Sequence, residues 1–168
     1  MNEMIFLDGN LFPKIGDIVN TEQALALCMH FELDYLVKRI ETFPERYKSW
    51  KFDGCSCLPD QVLGFFFKMD WRDITYKCCL PHDLGYAYGE HGNEEEKEKV
   101  DVAFYSHLIE VGMKEWAAKA FLEAVRIGGA EEFGTNFSWG YALRREYAFS
   151  QLAMLPNENM EMMMKRKV

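Results

Sequence analysis

The chain has 168 residues, which is the length of one ordinary domain with a substantial buried core. Hydrophobic residues make up 49% and charged residues 27%, which excludes a disordered, collagen-like or low-complexity chain. The formal net charge of -8 argues against a nucleic-acid partner, and no apolar run reaches the roughly 20 residues of a membrane span. We therefore expect a single domain over residues 1–168 with no transmembrane segment.

The amino terminus has neither a basic segment nor an apolar run of signal-peptide length. We accordingly expect a cytoplasmic protein, or one exported by another route. The five cysteines are an odd number, and without a secretory signal they need not form a disulfide framework. The sequence is compatible with either redox state of these residues. Four of them are clustered in two pairs, and the full set is Cys28, Cys55, Cys57, Cys78 and Cys79.

The first half of the chain predicts helices after an irregular start of about 20 residues. Asn20 followed by Gln23 has the spacing of a capping box, and apolar residues then recur at helical spacing over about residues 21–43. Pro44 can open a short second helix that holds Tyr47 and Trp50. The turn-forming residues of 53–60 predict a loop.

The second half of the chain predicts four further helices. The first carries His82 and ends near Tyr88, and Pro81 either starts this helix or kinks it. The charged run that begins at Glu94 starts a helix to about residue 112, and its charges are expected to be solvated. Two more helices are expected over about 113–127 and 137–154. The predicted fold is mainly α, with the two helices around the turn at 89–93 lying antiparallel.

Two of these helices carry residues suited to proton transfer. Asp101 lies at the margin of an apolar stripe, where a carboxylate is costly unless it is hydrogen-bonded. His82 is the obvious partner if the two helices are antiparallel. Asp101 would then accept a hydrogen bond from one ring nitrogen and leave the other nitrogen free to act as a base.

A cation site is predicted beside this pair. Asp83 follows His82 directly and diverges from it by about 100° around the helix, so it can face a different partner. The loop at 53–60 offers Asp53, Asp60 and backbone carbonyls. Oxygen ligands on a loop suit a hard cation, and Ca²⁺ suits them best. The chemistry implied is hydrolysis of an acyl ester by a water that His82 deprotonates.

Several short motifs over about residues 50–110 resemble the secreted phospholipase A2 family, in particular its bacterial and fungal branch. Their order and spacing match that family. They are Asp53-Gly54-Cys55, Pro59-Asp60, Leu63-Gly64-Phe65, Cys79-Leu80-Pro81-His82-Asp83-Leu84-Gly85-Tyr86 and Val100-Asp101-Val102-Ala103-Phe104-Tyr105. The resemblance implies a phospholipase A2-like fold and calcium-dependent hydrolysis of the sn-2 acyl ester of phospholipids, with a phospholipid or membrane surface as the substrate.

The resemblance also implies a role for each catalytic residue. His82 corresponds to the catalytic base, Asp101 to the acid that orients it, and Tyr86 to a supporting hydroxyl. A Ca²⁺ cofactor is implied as well. Its ligands would be the carboxylates of Asp83 and Asp53 and the carbonyl of Gly54.

A disulfide is implied by the same resemblance. Cys55 and Cys79 correspond to a pair that ties the calcium loop to the catalytic helix, and Cys57 and Cys78 are candidates for a second bridge. Two other interpretations remain open. One is a catalytically inactive phospholipase A2-like module that binds lipid or a protein. The other is a structural protein in which these cysteines, with His82, hold Zn²⁺.

Overall fold

The computed structural model describes residues 4–7, 10–55 and 70–147, with side chains placed from Phe12 onward. This part of the chain is mainly α-helical, as the sequence predicts. Among the described residues, no helix combines the length and the apolar character that a membrane crossing needs. The main helices are α1 Thr21–His30, α2 Asp34–Thr42, α3 Leu80–Ala87, α4 Glu94–Glu110 and α5 Glu115–Gly128.

The first 20 residues contain strands, so the prediction of an irregular start is wrong. Strand β1 Met4–Leu7 pairs antiparallel with β2 Asn10–Pro13. Strand β3 Ile18–Val19 pairs antiparallel with β4 Trp50–Lys51. The second pairing places the buried side chains of Val19 and Trp50 side by side, which supplies the core contact that a two-residue strand needs to persist.

The predicted helix over 21–43 is two helices. Its start is confirmed, because Asn20 and Gln23 form the reciprocal bonds of a capping box. The chain then reverses at Glu32, whose φ is 56°, and the N–H of Leu33 bonds back to the carbonyl of Cys28. The reversal lets α1 and α2 bury their apolar faces in the same core, which one straight helix could not do.

The short helix expected after Pro44 is a single 3₁₀ turn, Pro44–Arg46. Tyr47 instead forms an isolated antiparallel bridge with Leu143, and Trp50 belongs to β4. Both aromatic side chains are buried. An extended backbone serves this segment because it inserts both rings into the core that β3 and α3 also enter.

The helix that carries His82 is preceded by an irregular helical segment. The α-helical turn Trp71–Asp73 leads into a π-helical turn, Ile74–Cys79, in which the N–H of Leu80 reaches the carbonyl of Thr75. Pro81 then lies in the first turn of α3. The wider turn ahead of Pro81 relieves the clash of a proline ring with the carbonyl four residues earlier.

Helices α3 and α4 lie antiparallel, as predicted. His82 near the start of α3 contacts Phe104, while Tyr86 near its end contacts Lys97, so the contacts run in opposite directions along the two helices. The approach is close at Gly85, where a Cβ atom would come within 2.7 Å of the Val100 side chain. This packing brings the functional side chains of both helices together.

The helix predicted over 137–154 is wrong for residues 137–144, which form turns and the bridge to Tyr47. Residues 148–154 lie outside the described part of the chain. Residues 137–144 do not form a helix because they donate hydrogen bonds to the carboxyl end of α3. The N–H of Gly140 bonds to the carbonyl of Tyr86, and the N–H of Ala142 bonds to that of Ala87. These donors are therefore committed to α3 rather than to a helix of their own.

Candidate active site

His82 and Asp101 form the buried hydrogen-bonded pair that the sequence predicts. Nε2 of His82 lies 3.0 Å from Oδ1 of Asp101, and the hydroxyl of Tyr86 donates to the same oxygen at 2.7 Å. Asp101 has no exposed surface and His82 is 8% exposed. The imidazole lies between the rings of Tyr86 and Phe104, with centroid distances of 4.3 and 4.6 Å. Packing and hydrogen bonding together fix the orientation of the imidazole.

Lys97 is a fourth member of this cluster that the sequence analysis missed. Its Nζ donates to Oδ2 of Asp101 at 2.9 Å and lies 5.4 Å from the centre of the Tyr86 ring. The prediction that the charges of this run are solvated is therefore wrong for Lys97. Lys97 lies four residues before Asp101 on the same helix, the spacing at which oppositely charged side chains meet, so the signal was present in the sequence.

The hydrogen bonds of the cluster outweigh the cost of burial. Burial alone would raise the pKa of Asp101, but the bonds from His82, Lys97 and Tyr86 hold that pKa below its usual value. Burial alone would lower the pKa of His82. The bond to Asp101 and the charges of Asp83 and Asp101 raise it instead. The pair therefore has an ionised carboxylate that stabilises a proton on the imidazole.

Asp83 lies beside the second nitrogen of His82. Its Oδ1 is 4.0 Å from Nδ1, which is too far for a hydrogen bond. Its Oδ2 is buried and has no hydrogen-bond donor among the residues that the structure describes. Burial raises the pKa of Asp83 to about 6, and the negative charge of Asp53 acts in the same direction. Asp83 thus makes no hydrogen bond to Nδ1 of His82, and its own Oδ2 has no donor among the described residues.

The predicted loop ligands approach Asp83 from the segment after β4. Asp53 is exposed, and Gly54 is buried with a φ of 71°. A disulfide joins Cys55 to Cys79, the residue before α3, with the two Cα atoms 5.6 Å apart. The pairing of these two cysteines is thus confirmed. It fastens the Asp53-Gly54 segment to the helix that carries Asp83.

Cys78, the candidate partner of Cys57 in a second bridge, is a buried free thiol in the structure, as is Cys28. Cys57 lies outside the described residues. The two buried thiols are chemically quiet, since burial raises the pKa of each to about 12.

Tyr141 is a further residue that sequence reasoning did not place here. Its hydroxyl donates to the backbone carbonyl of Asp83 at 3.1 Å. Burial, together with the charges of Asp83 and Asp53, raises the pKa of Tyr141 well above its usual value. The expected helix over 137–154 gave no reason to bring this side chain to α3, because only the folded turn at 139–142 does so.

A small cavity of about 30 Å³ is lined by His82 and Asp83, among other residues. That volume accommodates at least one water molecule. Its lining residues come from α3 and the turn before it, from α4 and α5, from the Gly54 segment and from the loop after α5. They are Gly54, Cys55, Cys79, His82, Asp83, Tyr86, Phe104, Phe121, Val125, Gly129 and Phe137. The cavity is therefore mainly apolar, and its titratable groups are the imidazole of His82, the carboxylate of Asp83 and the phenol of Tyr86.

A larger cleft of about 510 Å³ reaches His82 from the α2 and α4 side. Pro81, Val100, Ala103 and Phe104 form its apolar part, and polar side chains of α2 and α4 surround them. One of these, Arg39, is held by a bidentate pair with Glu96, with N–O distances of 2.6 and 2.8 Å. His82 and Phe104 line both the cleft and the small cavity.

The residues at the small cavity could hold a hard cation. The buried Oδ2 of Asp83 has no donor in the part of the chain that the structure describes, and a cation would supply a partner. No cluster of three or more His, Cys, Asp or Glu side chains that could hold a metal occurs in the described part of the chain. A site here would therefore combine the carboxylates of Asp83 and Asp53 with backbone carbonyls such as that of Gly54, a donor set that suits Ca²⁺.

Comparison of the chain with protein-family models, with curated proteins and with solved structures found no match.

Proposed function

We propose that this protein hydrolyses the sn-2 acyl ester of phospholipids in a calcium-dependent reaction. One observation carries the proposal. The buried His82–Asp101 pair lies at a cavity of about 30 Å³, and the same cavity is lined by Asp83, whose Oδ2 has no donor among the described residues. A base and an unsatisfied anionic oxygen at a cavity that fits a water are suited to hydrolysis.

His82 is the general base of the proposed reaction. Because Nε2 is bonded to Asp101, Nδ1 is the nitrogen left to accept a proton from the attacking water. The water oxygen adds to the ester carbonyl. The tetrahedral intermediate then expels the lysophospholipid alkoxide, which takes the proton from His82 and leaves a free fatty acid. Asp101 stays ionised throughout and stabilises the imidazolium, and Tyr86 holds Asp101 in position.

Calcium is the proposed cofactor. Asp83, Asp53 and the carbonyl of Gly54 would hold it, and when bound it supplies positive charge for the oxyanion of the tetrahedral intermediate. The Cys55–Cys79 disulfide supports this arrangement, because it keeps the Asp53-Gly54 segment against α3. A disulfide is maintained in oxidising compartments, so we expect the activity outside a reducing cytosol.

The same disulfide argues against the interpretation of the chain as a zinc-binding structural protein. Zinc binds cysteine as the thiolate, and Cys55 and Cys79 are bonded to each other. The inactive lipid- or protein-binding module uses the same fold without turnover. It differs from the proposed enzyme in one measurable property, the release of fatty acid.

The decisive experiment measures fatty-acid release from mixed phospholipid vesicles with millimolar Ca²⁺ and with a chelator. We expect release only with Ca²⁺, in equal amounts with lysophospholipid. Phospholipid labelled separately in its two chains shows which ester is cut. Binding to the vesicles without release would establish the inactive module instead, and release that the chelator leaves unchanged would remove calcium from the proposal.

A further inference from the structure

We infer that Lys97 is a positioning residue, whose ammonium group holds the Asp101 carboxylate in the orientation that fixes the His82 imidazole. The inference deepens the proposed function, and its test by activity rests on that function. Its test by spectroscopy is independent of whether the protein hydrolyses lipid. Lys97 is not among the described residues that line the cavity or the cleft, so it acts through Asp101 and not on a substrate.

Burial distinguishes Lys97 from Lys99, the other lysine of its charged run. The side chain of Lys97 is 10% exposed, whereas those of Glu95 and Lys99 are 81% and 73% exposed. Glu95 and Lys99 form an ordinary surface pair, which contributes little to stability. Burying an ammonium group is costly unless a carboxylate compensates for it. The fold therefore places Lys97 specifically against Asp101.

The division of donors on Asp101 gives Lys97 its role. His82 and Tyr86 both bond to Oδ1, at 3.0 and 2.7 Å, while Lys97 donates to Oδ2 at 2.9 Å. The two donors on Oδ1 constrain the position of that oxygen but leave the position of Oδ2 unconstrained. The bond to Oδ2 fixes the plane, and it directs Oδ1 at Nε2 of His82.

The fixed carboxylate determines what His82 can do. As long as Oδ1 accepts from the Nε2–H group, the proton of the neutral ring stays on Nε2 and Nδ1 keeps its lone pair. When Lys97 is removed, Oδ2 becomes a buried acceptor without its cation, and the carboxylate is expected to turn or draw water to regain a donor. The Nε2–H bond weakens as a result. Lys97, Asp101 and His82 are thus one chain of interactions that ends at the cavity.

The spectroscopic test uses protein labelled with ¹⁵N in its histidine rings, under mildly alkaline conditions where the neutral ring dominates. The wild type is expected to show a slowly exchanging Nε2 proton on His82. Lys97→Met is expected to lose or shift this signal, and the same change is expected for Asp101→Asn. Lys97→Arg, which keeps the charge and the donors, is expected to retain it. Lys119→Met is the matched control, because Lys119 forms an exposed i,i+4 pair with Glu115.

The kinetic test uses the same variants in the vesicle assay. We expect Lys97→Met to lower kcat about 10- to 100-fold with KM changed less than about 3-fold, since Lys97 touches no substrate. In an Asp101→Asn background, Lys97→Met is expected to have no further effect, because the two residues act in series. Lys97→Arg is expected to restore most of the wild-type kcat.

The outcomes separate this inference from the proposed function. An unchanged Nε2 proton in folded Lys97→Met overturns the role of Lys97, whether or not the protein hydrolyses lipid. Absence of hydrolysis by the wild type overturns the proposed function and leaves the spectroscopic result to decide the inference. If Lys97→Met does not fold, Lys97→Arg decides, because loss of the Nε2 proton in that charge-retaining variant contradicts the inference.

Discussion

Gly129, just after α5, lies directly against the ring of Tyr86 on α3. A Cβ atom at position 129 would overlap Cε1 of that ring and would also come within 2.7 Å of the carbonyl oxygen of Val125. The close approach leaves room for the Tyr86 hydroxyl to reach Asp101. The end of α5 therefore determines where the supporting hydroxyl of the site lies.

We predict that Gly129→Ala displaces Tyr86 and weakens the site. The added methyl group meets an aromatic ring and a backbone carbonyl, so a cost of about 1 to 3 kcal/mol in the free energy of unfolding is expected, together with slower hydrolysis. Denaturant unfolding measures the first effect and the vesicle assay the second. Gly128→Ala is the matched control, because a Cβ atom there meets nothing within 4 Å. Equal stability of the two variants would contradict the close contact.

We predict that His82→Asn abolishes hydrolysis and leaves the protein folded. The change removes the group that accepts the proton of water, a contribution of about 10² to 10⁴ in rate. The initial rate of fatty-acid release is the measurement, with circular dichroism to confirm the fold. His30→Asn is the control, since His30 is exposed and packs only on the rings of Phe12 and Phe31 among its described ring contacts. Substantial activity in His82→Asn would assign the base elsewhere.

We predict that Asp83→Asn removes calcium binding without destabilising the calcium-free protein. Oδ2 of the carboxylate accepts no hydrogen bond from the described residues, so replacing the carboxylate with a neutral amide removes a buried charge. Calorimetric titration with Ca²⁺ should show uptake by the wild type and by Asp34→Asn, an exposed control, but not by Asp83→Asn.

Thermal unfolding provides a second measurement of the calcium site. A ligand that binds only the folded state raises its stability as the ligand concentration rises. We expect millimolar Ca²⁺ to raise the Tm of the wild type and to leave that of Asp83→Asn unchanged. If the wild type takes up no Ca²⁺ at millimolar concentration, the inactive module becomes the better interpretation.

We predict three free thiols in the oxidised protein after denaturation, because one disulfide uses two of the five cysteines. In the folded protein Cys28 and Cys78 should react slowly with thiol reagents, since each is buried and its pKa is raised to about 12. A denatured count of one would mean that a second bridge forms in solution, and a count of five would mean that Cys55 and Cys79 are not joined.

Removal of the disulfide by substitution tests its contribution to the site. The bond closes a segment with a sequence separation of 24 residues, for which chain entropy predicts about 3 to 4 kcal/mol of stability. Cys55→Ala paired with Cys79→Ala should lower the Tm and weaken calcium binding together. Cys28→Ala is the control, because Cys28 is a free thiol away from the small cavity.

The sequence by itself determined the parts of the protein that depend on local rules. The helix start at Asn20 and the charged start of α4 follow from capping and composition, and both are found in the structure. The pairing of His82 with Asp101 was also predictable, because a short turn between two helices makes them antiparallel neighbours, and a carboxylate on an apolar margin needs a donor.

The tertiary structure decided the parts that depend on distant segments. Apolar residues recur at helical spacing through residues 21–43, yet the chain reverses at Glu32. The reversal is favoured because two helices can bury their apolar faces in the same core, which one straight helix could not do. The residues around Trp139 have helical spacing, yet their N–H groups bond to the end of α3, which also brings Tyr141 to Asp83. Which of several similar charges is buried depends equally on the partner helix. Lys97 and Lys99 each have an acidic residue four positions away in the sequence, and only the packing of α3 on α4 buries the first pair and leaves the second in solvent.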